Sequence, residues 1–406
     1  MRILLVHKFF HVTGGAETFF FETGRSLEAE GHQVAYFSTI DERNRPSAYG
    51  KYFTGAPDFR SGSLPKRMTA IFRIVYSREA RKKFSRLLAD FRPDIVHVFA
   101  LFTHISPSIL DACREAGVPV IISCNDYKHI CPNYKLFHHG RLCEDCKGGR
   151  FYNAVRNKCC QDSLSFSVAS FIESTSHHLL HILRKNVHTF FFASDFMAEK
   201  TEAFWGESSF RRAKLLNPFD STVFPLCTDH EDYFLFFGRF IEEKGVDVLL
   251  RAMRHLAGPR LVLVGDGPQT AELKSLAARL KLNNVDFVGP RWGEDLDRLL
   301  KRTRFVVIPS VWHENFPYVI LQAFAMGKAV IGTDRGGIPE LVRNNEYGLI
   351  YPAQDELSLA ECINRLWLDP GLAVDMGARA KTYADAQFND RVFYDALIRN
   401  YEEILK

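Results

Sequence analysis

FVVIPSVWHENFPYVILQAFAMGKAVIGTDRGGIPE, Phe305 to Glu340, is the stretch whose reading decides the fold. Arg304 to Pro309 is a short β-branched run, the signature of a strand buried on both faces of a parallel sheet. A loop carrying Glu314 follows. Pro317 then opens an apolar helix, where a missing N–H costs nothing because the first turn has no partner for it. Gly327 ends that helix, Ala329 to Thr333 is the next strand, and Gly336-Gly337 opens another helix. Strand, charged loop, helix, strand, glycine loop, helix is how an α/β protein presents ligand groups at the carboxyl edge of its sheet. Glu314 stands at that edge, just before a helix N-terminus.

The same rhythm runs outward in both directions. Toward the N-terminus the expected strands are Ile3 to Val6, Gln33 to Thr39, Asp94 to Phe99, Val118 to Ser123, Thr189 to Ala193 and Lys214 to Asn217. After a polar, proline-containing linker they resume at Tyr233 to Phe237, Arg260 to Val264 and Val285 to Val288. Amphipathic helices at Ser358 to Trp367 and Arg391 to Leu405 close the chain. The expected class is α/β, with two doubly wound Rossmann-like domains facing across a cleft. The expected boundaries are 1–222, a linker 223–231, 232–388, and a final helix 389–406 packing back on the first domain.

A length of 406 residues suits two such domains. A formal charge of +4 is too small to argue for nucleic acid. The opening MRILLVHKFF holds a four-residue apolar run, too short for a signal peptide or a spanning helix. Nine cysteines, an odd number, fit a reducing compartment, so a cytoplasmic location is expected.

Two segments depart from the rhythm. Lys66 to Arg92 is basic and helical, with Met68, Ile71, Phe72 and Val75 on one apolar face. It reads as a surface helix packing by that face, or as a patch that rests on anionic lipid at the inner face of a membrane or holds an anionic acceptor. The insertion 127–162 carries Cys131, Cys143, Cys146, Cys159 and Cys160. Cys143-x-x-Cys146 before Gly148-Gly149 has the shape of a metal knuckle, with Cys131 and either Cys159 or Cys160 completing a tetrahedral site. Structural zinc on Cys131, Cys143, Cys146 and Cys159 is the expectation; a redox pair and merely buried thiols are the alternatives.

The chemistry gathers at three turns. Gly14-Gly15, where the first strand becomes the first helix, aims backbone N–H groups at whatever lies above the sheet, which suits phosphate. Arg239 and Lys244 follow the first strand of the second domain and stand at a helix start, forming an anion clamp. A diphosphate suits both. Asp295-x-Asp297, in a helical context, reads as a surface pair.

Gly14-Gly15-Ala16-Glu17, Asn125-Asp126-Tyr127, Gly238-Arg239 with Lys244-Gly245, Gly265-Asp266-Gly267-Pro268, and Glu314-Asn-Phe-Pro leading to Gly336-Gly337-Ile-Pro-Glu340 together resemble family 4 of the retaining glycosyltransferases. The resemblance runs along essentially the whole chain. It implies the GT-B fold, a nucleotide-diphosphate-sugar donor bound mainly by the second domain, and a glycan or lipid-linked glycan acceptor bound mainly by the first. It also implies retention and no catalytic metal. Arg239 and Lys244 would stabilise the leaving diphosphate. Glu314, with the backbone of Asn315, Phe316, Pro317, Tyr318 and Val319, would hold the donor sugar, and Asp126 is the candidate acceptor-side base. The family's second glutamate is Gln322 here, facing the ribose without a charge, and its usual histidine is Asn125. The cysteine-rich loop resembles a branch found in bacterial surface-polysaccharide assembly. A nucleotide-sugar-binding protein without transfer and a nucleotide-sugar epimerase are the rival readings.

Overall fold

Among the described residues, fourteen strands form two large parallel sheets and one small hairpin. The computed structural model describes residues 1–57, 64–206 and 209–406, with side chains 64–67 left aside, so the Lys66 and Arg67 side chains lie outside the described residues. The chain divides into two compact units. The first comprises Met1–Leu136, Glu144–Pro218 and Phe393–Lys406; the second comprises Phe137–Cys143 and Phe219–Val392.

The first unit's sheet contains β1 (Arg2–His7), β2 (Gln33–Phe37), β3 (Ile95–Ala100), β4 (Val120–Cys124), β7 (Thr189–Phe192) and β8 (Arg212–Lys214), in the order β2-β1-β3-β4-β7-β8. All its pairings are parallel. Strand residues alternate between its two faces. Leu4, Val6, Val96 and Val98 join Phe84 and Leu87 in one core, whereas Ile3, Leu5, Ile95 and Ile121 pack with Phe19, Phe20, Leu397 and Tyr401 in another. Both faces are covered, which is why these strands read as unbroken apolar runs. The Tyr401 hydroxyl lies 2.7 Å from His97 Nδ1, and His97 Nε2 lies 2.8 Å from Ser123 Oγ, so the last helix, Asp390–Leu405, is latched to the sheet.

The second unit's sheet contains β9 (Phe234–Phe237), β10 (Leu261–Val264), β11 (Val285–Gly289), β12 (Phe305–Ile308), β13 (Ala329–Thr333) and β14 (Gly348–Tyr351), in the order β11-β10-β9-β12-β13-β14. These pairs are parallel too. The hairpin β5 (Phe137–His138) and β6 (Arg141–Leu142) belongs to this unit, with Phe137 in its core.

Two expectations need correction. The strand expected at Lys214 to Asn217 is β8, Arg212–Lys214; Lys214 is the last residue to pair with β7, and the chain then leaves the sheet. The basic stretch is two helices, Leu64–Val75 and Arg78–Phe91, broken where Ser77 leaves helical geometry and its hydroxyl accepts the Ala80 N–H at 3.1 Å. Three of its cations are neutralised locally, Arg73 and Lys83 by Glu79 and Arg81 by Glu115.

Candidate active site

A doubly wound sheet has one place where consecutive strands leave in opposite directions, and ligands bind outside the carboxyl ends there. In the second unit the chain runs from β9 outward through β10 and β11, then returns to β12 on the other side of β9. The switch point is therefore between β9 and β12. The loop after β9 carries Arg239 and Lys244, and the loop after β12 carries Glu314.

These loops are stitched together. Lys244 Nζ lies 2.6 Å from Glu314 Oε1, and the Ser310 hydroxyl donates to the same oxygen at 2.7 Å. The Val311 N–H donates to the Glu243 carbonyl at 2.9 Å, and the Gly337 N–H to the Glu314 carbonyl at 2.7 Å. Gly336 has φ +60°, and a Cβ there would sit 2.0 Å from the Glu314 carbonyl oxygen. Only glycine allows that approach. Lys244 also lies 5.9 Å from the centre of the Trp312 ring. Ser310 and Trp312 carry no motif signal, and their roles emerge only from the folded loops.

Glu314 is 5% exposed. Burial raises its pKa, but the Lys244 charge and hydrogen bonds from Lys244, Ser310 and Trp312 outweigh that and hold the carboxyl below its usual range. The result is an anion fixed beside a cation, with the Glu314 carboxylate anchoring the Lys244 ammonium. Arg239 is exposed. Its backbone is fixed on both sides, by Gly238 N–H to Val264 O at 3.0 Å and Phe240 N–H to Asp266 O at 2.9 Å. The fixed backbone with a free-standing side chain lets Arg239 reach a ligand without disturbing the fold.

Beyond Glu314, Phe316 and Pro317 are buried, whereas Asn315, Tyr318 and Val319 are half-buried. Pro317 caps the helix Tyr318–Ala325 and has no N–H, so the first-turn donors are Tyr318 and Val319. Gln322 lies one turn further on and is also half-buried. Asp295 and Asp297 lie in the helix Glu294–Arg302, where Asp295 pairs with Arg298 at 3.7 Å.

In the first unit the order of strands puts the switch point between β1 and β3. Gly14 and Gly15 are exposed there, at the start of the helix Gly15–Ala29. Beneath them the buried Glu17 carboxylate lies 3.5 Å from His7 Nε2. Burial pushes His7 down to about 4 despite the opposing Glu17 charge, which keeps the ring neutral near pH 7. After β4, Asn125 Nδ2 donates to the Phe99 carbonyl at 3.4 Å, and the exposed Asp126 accepts the Lys128 N–H at 2.9 Å. Cys131, Cys146 and Cys159 belong to this unit, whereas Cys143 is grouped with the second.

The sequence profile of Glycosyltransferase Family 4 matches residues 13–159, and that of Glycosyl transferases group 1 matches residues 225–383. An uncharacterised 42.6 kDa protein of the cps region of Klebsiella pneumoniae is 26% identical over 359 residues, covering 84% of this chain and 88% of that protein. The lipopolysaccharide core biosynthesis glycosyltransferase LpsE of Rhizobium meliloti (strain 1021) is 31% identical over 189 residues, 46% of this chain and 52% of that one, so the chain spans about half of that relative. Among solved structures, Anabaena HepE in complex with UDP and glucose superposes with a TM-score of 0.68 at 18% identity, over 99% of this chain and 100% of that chain. No helix among the described residues is long and apolar enough to cross a membrane.

Proposed function

We propose that this chain, which matches a family 4 profile ahead of a group 1 profile and shares the GT-B fold, transfers a sugar from a nucleotide-diphosphate-sugar donor to a glycan or lipid-linked glycan acceptor. The transfer proceeds with retention and without a catalytic metal, at the cytoplasmic face of the membrane, during assembly of a bacterial surface polysaccharide. The cps-region and lipopolysaccharide-core relatives support that last assignment.

One observation carries the reading: Arg239, Lys244 and Glu314 flank the switch point of the second sheet, with Lys244 and Glu314 already paired. When the bond from anomeric carbon to phosphate oxygen breaks, negative charge grows on the departing diphosphate. Arg239 and Lys244 supply preorganised positive charge there, and cations fixed in advance need no reorganisation as the charge develops. Glu314 accepts hydroxyl hydrogen bonds from the donor sugar with its remaining carboxylate oxygen, and Tyr318 and Val319 supply first-turn N–H donors. Gln322 offers the ribose one acceptor and one donor. Asp126 and Asn125 stand at the corresponding edge of the first sheet, on the acceptor side.

The test is a donor panel with purified protein, reading transfer and the anomeric configuration of the product by NMR. Arg239→Ala should lower kcat by about a hundredfold, the usual scale for one lost charge-stabilising donor, with an unchanged melting temperature. Glu314→Gln should raise KM and lower kcat together. Full activity in both variants would overturn the assignment. Donor turnover without acceptor would instead indicate an epimerase, and inversion at the anomeric carbon would remove the retaining mechanism.

A further inference from the structure

A cavity in the first unit stands outside the donor chemistry described above. It encloses about 440 Å³, its open mouth included, and its lining starts at the carboxyl edge of the sheet. Phe102 follows the end of β3, and Lys128 follows β4, its N–H bonded to the Asp126 carboxylate. Phe102, Phe151 and Trp205 give the cavity aromatic walls. Glu173 is the sole carboxylate in the lining, and Lys128 Nζ neutralises it at 2.8 Å, the two side chains being 1% and 9% exposed. A buried ion pair adds little net stability, and one set in a pocket marks a candidate binding site.

The charge that remains in the lining is positive. Arg184 pairs with no carboxylate among the described residues; its Nη2 donates to His181 Nδ1 at 2.7 Å, which makes Nε2 the donor of that ring. His181 holds this place with φ +48°, a backbone conformation that is costly without glycine. The His178 ring stands edge-on to Phe151, centres 5.6 Å apart, and 6.1 Å from His181. Gly149, with φ +80°, makes room for it, since a Cβ there would lie 3.0 Å from His178 Nε2. Burial, and after it the Arg184 charge, hold His178 below the usual histidine range. Between the two histidines the chain exposes Leu179 to 70% and Leu180 to 52%. The same helix, Leu164–Leu179, carries His177, whose Nε2 donates to the Val75 carbonyl at 3.0 Å, joining it to the helix that exposes Met68 and Phe72.

We propose that this cavity binds the phosphate end of a lipid-linked acceptor, with Arg184, His181 and His178 on the phosphate oxygens and Leu179 and Leu180 against the lipid chain. The proposal rests on the transferase reading above and narrows its acceptor to a sugar carried on a lipid phosphate or diphosphate. A guanidinium fork matches two phosphate oxygens at once, and the imidazoles add donors beside it. Apolar tips next to a cationic mouth suit an anion with a hydrocarbon tail. A neutral soluble glycan would use neither.

The test is titration of full-length protein with farnesyl diphosphate, a water-soluble lipid diphosphate, read by tryptophan fluorescence and by calorimetry. Trp205 lines the cavity, so binding should quench its emission, and Trp205→Phe should lose that quenching while calorimetry still records binding. Arg184→Ala and His181→Ala should each weaken binding by about tenfold or more, the scale of one charge-assisted hydrogen bond. Arg239→Ala should leave it unchanged. Pyrophosphate should bind more weakly than farnesyl diphosphate, and replacing Leu179 and Leu180 by serine should abolish that difference. Wild-type protein whose Trp205 emission ignores farnesyl diphosphate would overturn the site, with no variant required to fold. Loss of binding in Arg239→Ala but not in Arg184→Ala would place the ligand in the donor pocket and overturn it equally. Equal affinity for pyrophosphate and farnesyl diphosphate in wild-type protein would overturn the lipid assignment. Lipid binding without transfer from any donor would support this site and remove the transferase reading, whereas transfer to soluble acceptors without lipid binding would do the reverse.

Discussion

At the scale of single residues, the Lys244–Glu314 pair is both the most exposed to loss and the most informative. Glu314 is nearly buried, and removing its partner leaves an uncompensated carboxylate. Lys244→Ala should therefore cost about 3–5 kcal/mol in urea unfolding, more than Glu314→Gln, which removes the charge and keeps the shape. The double variant should recover part of the Lys244→Ala loss; strict additivity would mean the two charges do not interact. The sign with pH follows from the lowered Glu314 pKa. Its contribution is fully present above the ordinary carboxylate range and is lost as pH falls through the depressed value. Both residues could be singled out from loop position and charge alone. Their pairing could not, because it joins groups 70 positions apart through a register that exists only once β9 and β12 are adjacent.

At the scale of elements, legibility followed burial. β1, β9 and β12 are covered on both faces and appear as apolar runs. β8 reads Arg-Ala-Lys at a sheet edge with no buried residue, so hydrophobicity could not locate it. The two-residue strands of the hairpin are too short for a period to show, and the helices Leu164–Leu179 and Pro370–Gln387 went unread. The basic pair of helices shows the same dependence on context. Arg73, Arg81 and Lys83 are spent on ion pairs, whereas Arg78, Lys82 and Arg86 are exposed at intervals of four along one helix. The neighbouring helix exposes Met68 and Phe72 to 57% and 68%. A basic stripe near apolar tips is complementary to anionic lipid. Protein should cosediment with phosphatidylglycerol vesicles and not with phosphatidylcholine ones, and added salt should weaken binding. Replacing Arg78, Lys82 and Arg86 by serine should reduce that binding on the order of a hundredfold, at about 1 kcal/mol per charge near the surface. Unchanged binding by the triple variant would exclude this stripe.

At the scale of the whole molecule, the doubled strand-and-helix rhythm was legible from end to end. The exchange of segments was not: Phe137–Cys143 joins the second unit through buried Phe137, partly buried Leu142 and a hydrogen bond from Gln354 to the Gly140 carbonyl at 3.0 Å. The two units also differ in how they should respond to acid. Burial pushes His97 down to about 3, and His104 and His129 each to about 4. All three belong to the first unit. In the unfolded chain such rings titrate near 6.5, so below that pH the unfolded state binds protons that the folded state refuses. Their contribution is therefore fully present above about pH 6.5 and falls as pH drops toward the folded values, by up to about 1.4 kcal/mol per pH unit for each ring. Calorimetry between pH 7.5 and 4.5 should show the transition of the first unit moving to lower temperature ahead of the second. His97→Gln, which retains one donor and one acceptor for Ser123 and Tyr401 but cannot titrate, should start less stable at neutral pH and lose less on acidification. A first-unit transition independent of pH across that window would show that these rings are protonated in the folded state, and the neutral latch between the last helix and the sheet would have to be abandoned.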